Sequence, residues 1–150
     1  MNFFQSLRNE NFDVIAVQET HCDNNSLSTW KDEWGGASVW THYASDQAGV
    51  AILFSPKRNV NILRHSACNE GRILTVTAEI ESCIFQFANV YGPNPTSLLE
   101  SNAFFSQINL LLDESIQPII LGDFNMVENP NIDRSGGTPK KRQTYGHLRC

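Results

Sequence analysis

Four residues of this chain have the types and positions to do chemistry: Glu19, Tyr91, Asp123 and Asn125. Each stands at the end of an apolar run that is too short for a helix and rich in β-branched or aromatic residues. Such runs read as buried strands. Asp13 to Val17 (DVIAV) leads into Gln18 and Glu19. Cys83 to Tyr91 (CIFQFANVY) carries Asn89 just inside its end. Pro118 opens Ile119, Ile120, Leu121 and Gly122, after which come Asp123, Phe124 and Asn125. A carboxylate beside a buried strand is costly unless something pairs with it. If the three strands share one sheet and one direction, two carboxylates, a phenol and several amides converge on one rim. That rim suits a hard divalent cation, which takes one or two carboxylates and fills its shell with water and phosphate oxygens. It also suits phosphoryl transfer, with one carboxylate orienting water and neutral donors holding the phosphate. The alternative is three unrelated turns, each capped by its own Asp or Asn.

The elements between these ends describe a layered domain. Phe3, Phe4 and Leu7 have helical spacing, and Asn9 to Asn11 break that helix. Asn24 to Ser28 read as a loop entering a short helix, with Leu27, Trp30 and Trp34 on one face and Gly35-Gly36 as the stop. Val39 to Tyr43 read as a strand, Ser45 to Gln47 as a turn, and Gly49 to Phe54 as a buried strand. Asn59 to Arg64 suggest a further strand. From Leu74 to Ile80 the alternation is clean, with Leu74, Val76, Ala78 and Ile80 on one face and Thr75, Thr77 and Glu79 on the other. Glu81-Ser82 would turn a hairpin into Cys83 to Tyr91, and Gly92 to Pro95 form a loop. Ser97 and Glu100 fit a capping box for a helix through Leu98, Phe105, Ile108 and Leu112. The mixture of hairpins and crossovers predicts an α/β layered sandwich of mixed sheets.

Composition fits one ordinary domain of 150 residues with a core. No apolar run approaches a membrane span, and Met1 to Arg8 lack a secretory pattern, so the expected setting is intracellular. Cys22, Cys68, Cys83 and Cys150 form no C-x-x-C pair and read as mostly buried, reduced thiols. The net charge of −5 argues against a general nucleic-acid coat. Its distribution is uneven: beyond Asp133 there are no acids, but Arg134, Lys140, Lys141, Arg142 and Arg149. The expected division is therefore a domain over 1–133 and a basic, loop-like tail over 134–150. Such a tail can meet a phosphate backbone or lie solvated.

Six short motifs then appear in order: Gln18 to His21 (QETH), Ala48 to Leu53 (AGVAIL), Gly71-Arg72, Asn89 to Asn94 (NVYGPN), Gly122 to Asn125 (GDFN) and Asp133-Arg134. Together they resemble the endonuclease/exonuclease/phosphatase superfamily. The wording is most similar to the apurinic-type endonuclease domain of LINE-type retrotransposon polyproteins. The resemblance implies a DNase I-like fold and Mg²⁺ (or Mn²⁺) as cofactor. It implies Glu19 as the metal ligand, Tyr91 bonded to the scissile phosphate or its water, Asp123 orienting or deprotonating that water, and Asn125 holding the phosphate. The implied substrate is DNA, nicked to leave a 3′-hydroxyl, with a reverse transcriptase fused in a full-length parent and a nuclear setting. His21 matches no catalytic position and reads as a loop group, and His147 in the tail is not the family's catalytic histidine; His42 and His65 read as satisfied structural histidines in strands, and Asp133-Arg134 match a structural loop pair.

Family members also carry a first strand with a metal-binding asparagine, and a second half ending in an S-D-H motif. Asn2 is not an equivalent of the first, and nothing here matches the second. The expectations are thus an incomplete DNase I-like fold, impaired nuclease activity and marginal stability with open sheet edges. A non-catalytic nucleic-acid-binding remnant, or a phosphatase of the same fold, is the alternative.

Overall fold

In the computed structural model, residues 3–41, 48–68, 70–94 and 98–126 are described. They form two sheets between helices. Helix α1 (Phe3–Asn9), strand β1 (Val14–Gln18), helix α2 (Asn24–Trp34), strand β2 (Ser38–Trp40) and strand β3 (Val50–Phe54) make the first half. Strands β4 (Val60–Ala67), β5 (Ile73–Ile80) and β6 (Cys83–Tyr91), helix α3 (Leu98–Leu111) and strand β7 (Pro118–Asp123) make the second. The first sheet has the order β1-β3-β2, all antiparallel. The second has the order β4-β5-β6-β7, antiparallel except for the parallel β6–β7 pair that α3 connects.

Period-two side-chain alternation divides the residues among the layers. Val39, Val50, Ile52 and Phe54 of the first sheet meet Leu74, Val76, Ala78 and Phe87 of the second. The other face of the first sheet, Ala51 and Leu53, lies under Phe4 and Trp34 of the two helices. The other face of the second, Ile73, Ala88 and Val90, lies under Phe104 and Ile108 of α3. The layers run helix, sheet, sheet, helix, which is the expected α/β sandwich of mixed sheets.

Several local expectations are corrected. The three site-bearing strands do not share a sheet: β1 lies in the first, β6 and β7 in the second. Strand β5 is buried on both faces through Ala78: α3 packs over Ile73, and the Thr75 hydroxyl donates to the Leu111 carbonyl at the end of that helix. Asn24 to Ser28 belong to α2, since the Asp23 carboxylate accepts from the Asn25 and Ser26 amides and opens the helix there. On α3 Ser101, Phe104 and Ile108 are buried and Phe105 is half-buried, as is Leu112 just past its end. Ile119 and Ile120 are not buried: among the described residues β7 is the edge strand of its sheet, and the two are 42% and 43% exposed. Of the three cysteines described, only Cys22 is buried; Cys83 is exposed on β6. His65 is exposed on β4.

The hairpin at Glu81-Ser82 stands as expected. Both residues have positive φ, 50° and 68°, as a two-residue primed turn requires. Tyr43, the Ser45 to Gln47 turn, His42, the Ser97 cap, Cys150, His147, the Asp133-Arg134 pair and the 133/134 boundary with its basic tail lie outside the described residues.

Candidate active site

Although the three strands belong to different sheets, their carboxyl ends reach one rim at the seam between the sheets. Tyr91 ends β6, and its hydroxyl donates to Glu19 Oε1 just beyond β1. Asp123 ends β7 directly beside Tyr91, its register partner in the parallel pair. The Gly92 amide then donates to the Asp123 carbonyl at 2.7 Å. Asn125 returns to the same place: its side-chain nitrogen donates to the Gly92 carbonyl at 2.6 Å, and its backbone amide donates to Asp123 Oδ1 at 2.9 Å. Hydrogen bonds therefore join Glu19 to Tyr91 and Asp123 to Asn125, and strand pairing with the Gly92 backbone links the two pairs.

The local sequence explains how they are turned there. Glu19 and Asn125 both adopt left-handed backbone, φ 52° and 50°. Such conformations cost energy in non-glycine residues and collect at functional sites. Gly122 permits the close β6–β7 approach: its φ is 132°, and a Cβ there would overlap the Val90 carbonyl. Gly92 is equally constrained, since a Cβ would overlap the Phe124 carbonyl.

Beneath the rim lies a buried polar bridge. Asn89, just inside the end of β6, is fully buried between the sheets. Its nitrogen donates to the Val17 and Ala51 carbonyls at 2.9 and 2.8 Å, and its oxygen accepts from Gln18 Nε2 at 2.7 Å. One side chain of β6 thus fastens both β1 and β3. The residue before Glu19 is one of the fastened groups.

Glu19 and Asp123 are exposed, and Tyr91 and Asn125 half-buried. The Tyr91 phenol is pushed above the usual tyrosine range, first by its hydrogen bond to Glu19, then by burial and the Glu19 charge; Arg72 opposes the shift. Arg72 itself stacks over the Tyr91 ring, a contact that no sequence reading singled out beyond the Gly71-Arg72 motif. His21 lies in the loop after Glu19, exposed, and its backbone amide donates to the Ala48 carbonyl.

Among the described residues there is no cluster of three or more His, Cys, Asp or Glu side chains that would enclose a metal. A structural site of the closed kind does not fit. One exposed carboxylate at a strand end, Glu19, fits a hard cation that shares its shell with water and phosphate oxygens.

The family model described as "Endonuclease/Exonuclease/phosphatase family" matches residues 2–144. The "Transposon TX1 uncharacterized 149 kDa protein" of Xenopus laevis is 28% identical over 141 residues, 92% of this chain and 10% of that protein. Among solved structures, a 3′ phosphatase from Neisseria bound to a product DNA hairpin superposes with a TM-score of 0.63 at 18% identity, covering 85% of this chain and 55% of that one. An AP endonuclease from Archaeoglobus fulgidus gives 0.61 at 18% identity, covering 89% and 55%. At these identities the structures establish the fold, DNase I-like. The chain spans 10% of its transposon relative and 55% of either solved chain.

Proposed function

The chain belongs to the endonuclease/exonuclease/phosphatase family, and from that premise we propose that its rim hydrolyses phosphodiester bonds of DNA with a divalent cation, as the nicking module of a retroelement. The observation that carries the reading is the juxtaposition of two bonded pairs, Glu19–Tyr91 and Asp123–Asn125, on neighbouring strand ends at the seam of two sheets. The similarity to a transposon protein of Xenopus laevis supports the retroelement setting. In a longer parent a reverse transcriptase would use the 3′-hydroxyl that nicking creates.

Each side chain has a task its surroundings fit. Asp123 is exposed and acceptor-only when ionised, so it orients a water and takes its proton. The water oxygen bonds to phosphorus, the P–O3′ bond breaks, and the 3′ oxygen leaves and gains a proton. Asn125 spends one amide proton on the Gly92 carbonyl, which fixes the group and leaves the second N–H for a phosphate oxygen. Tyr91 keeps its proton through neutral pH, because Glu19 accepts it, and so holds the Glu19 carboxylate in place as a neutral donor. Glu19 is the residue that would hold Mg²⁺ or Mn²⁺. When bound, the cation supplies Lewis-acid neutralisation of charge growing on the phosphate.

The test is conversion of supercoiled plasmid to nicked circle with Mg²⁺ and with chelator. Metal-dependent nicking that Asp123→Asn reduces by about 10²–10⁴-fold supports the reading. Equal nicking by Asp123→Asn removes it. Release of phosphate from a 3′-phosphorylated oligonucleotide without plasmid nicking would move the substrate to phosphomonoesters. Broadening of the Tyr91 ring resonances by Mn²⁺, present in the wild type and lost in Glu19→Ala, tests the metal assignment without any turnover.

A further inference from the structure

We propose that Arg72 is a phosphate anchor of this rim, stacking on Tyr91 while its unspent donors bind a backbone phosphate of the nucleic acid next to the scissile one. The proposal rests on the phosphodiester reading above and extends it to a residue that the reading leaves without a role.

Arg72 stands in the bend before β5, and its backbone is tightly held. Its carbonyl accepts from the Tyr91 amide at 2.8 Å, and Gly71 before it donates to Cys68 and accepts from Thr41 Oγ1. The guanidinium carbon lies 4.7 Å from the centroid of the Tyr91 ring. One nitrogen, Nη1, donates to the Tyr91 carbonyl over a long 3.4 Å. A guanidinium has five N–H donors, so most of this one's capacity is unspent.

The other paired arginines behave differently. Arg58 is spent on Asp13 and Arg64 on Asp113. Arg72 has no carboxylate partner among the described residues, although it sits half-buried beside a rim that carries Glu19 and Asp123. A partly desolvated cation without a counter-ion is a cost to the folded protein. A phosphate would remove that cost, because its oxygens match the planar fork in pairs. Stacking on an aromatic face, with the plane fixed, is a property of arginine that lysine does not reproduce. The choice of ligand follows: an anion with paired oxygens, reached from the Tyr91 ring, on a polymer whose neighbouring phosphate lies at Asp123 and Asn125.

The experiment is fluorescence anisotropy of a labelled DNA duplex across a salt series in chelator, where no turnover occurs. One lost phosphate contact reduces the slope of log affinity against log salt by about 0.9. Arg72→Gln should show that reduction, and Arg72→Lys should keep the slope while losing turnover in Mg²⁺. An unchanged slope in Arg72→Gln overturns the anchor, even if turnover falls, since a residue that only positions Tyr91 would change turnover alone. Unchanged slope together with an inactive Asp123→Asn leaves the phosphodiester reading standing without the anchor. A reduced slope together with a fully active Asp123→Asn leaves the anchor standing without that reading. If Arg72→Gln fails to fold, the wild-type protein carries the test: dimethyl phosphate should shift the Arg72 Nε resonance, and no shift overturns the proposal.

Discussion

The perturbation that probes the architecture most directly is at Asn89. Its side chain makes three hydrogen bonds across the seam, to Val17, Ala51 and Gln18, and has no exposure to water that could replace them. At a net value of about 1 kcal/mol for each bond, Asn89→Ala should cost about 3 kcal/mol. The two carbonyls retain a second lone pair, which limits the loss, while the stranded Gln18 amide adds to it. A domain of this kind has about 5–15 kcal/mol in hand, so the variant should fold yet unfold at clearly lower urea. Asn89→Asp makes the sharper comparison. It nearly keeps the volume but turns the donor facing two carbonyls into an acceptor and buries a charge. It should therefore be less stable than Asn89→Ala. Both variants should lose nicking out of proportion to the fraction unfolded, because Gln18 is the anchor for Glu19. The assay is urea unfolding by tryptophan fluorescence with plasmid nicking measured well below the midpoint. An Asp variant as stable as the wild type would refute the bridge; a stable, fully active Ala variant would refute its link to the rim.

Further outcomes follow from single features. Gly122→Ala puts a Cβ into the Val90 carbonyl at a φ of 132°, and should destabilise by more than about 1 kcal/mol while displacing Asp123, read as lower turnover and an earlier melt. The Asp23 carboxylate is held below the usual aspartate range by Ser26, so its capping of α2 is complete above that range and is lost as pH falls through the lowered value; helicity by circular dichroism should drop there, and Asp23→Ala should remove the step. The Tyr91 phenol is raised, so its bond to Glu19 is fully present below the usual tyrosine range and lost as pH rises through the higher value; the absorbance titration of the wild type minus Tyr91→Phe should have its midpoint above 10. Ile119 and Ile120 are exposed apolar side chains of β7, so Ile119→Lys and Ile120→Lys should reduce any self-association in light scattering with little change in melting, and an unchanged light-scattering profile would count against these side chains as the contact.

Much of the layout was legible because the apolar runs are bounded by unambiguous punctuation. DVIAV, GVAILF and CIFQFANVY each sit between polar turns, and each is a strand. The positions of Glu19, Tyr91 and Asp123 at strand ends followed from that alone. Sheet membership did not follow. A buried strand reads the same whichever sheet it joins, so nothing in DVIAV separates it from PIILG. Burial of β7 was misjudged for a related reason: an apolar run signals what a strand can bury, while the edge position that exposes Ile119 and Ile120 is a property of strand order. The start of α2 was missed because Asp23-x-x-Ser26 caps with serine at the third helical position, where a glutamate or glutamine is the usual signal. Arg72 is legible only as half of a Gly-Arg pair, since stacking on a ring 19 residues further on leaves no mark in the local pattern.

The placement of the site at a seam has a physical consequence. The facing surfaces of the two sheets are made of Val, Ile, Leu and Phe, and apolar contact is non-directional. Such surfaces resist separation far better than they resist sliding, and a slide of one residue would carry Glu19 past Tyr91. The directed bonds of Asn89 are what oppose the slide: they name two carbonyls in two different strands of the opposite sheet. A wholly apolar seam would hold the layers together as firmly and leave the rim undefined. The polar residue sealed inside the core therefore does more for the geometry of the site than for the binding of the layers. It is the reason that two carboxylates, a phenol and an amide supplied by three strands of two sheets keep their places on one rim.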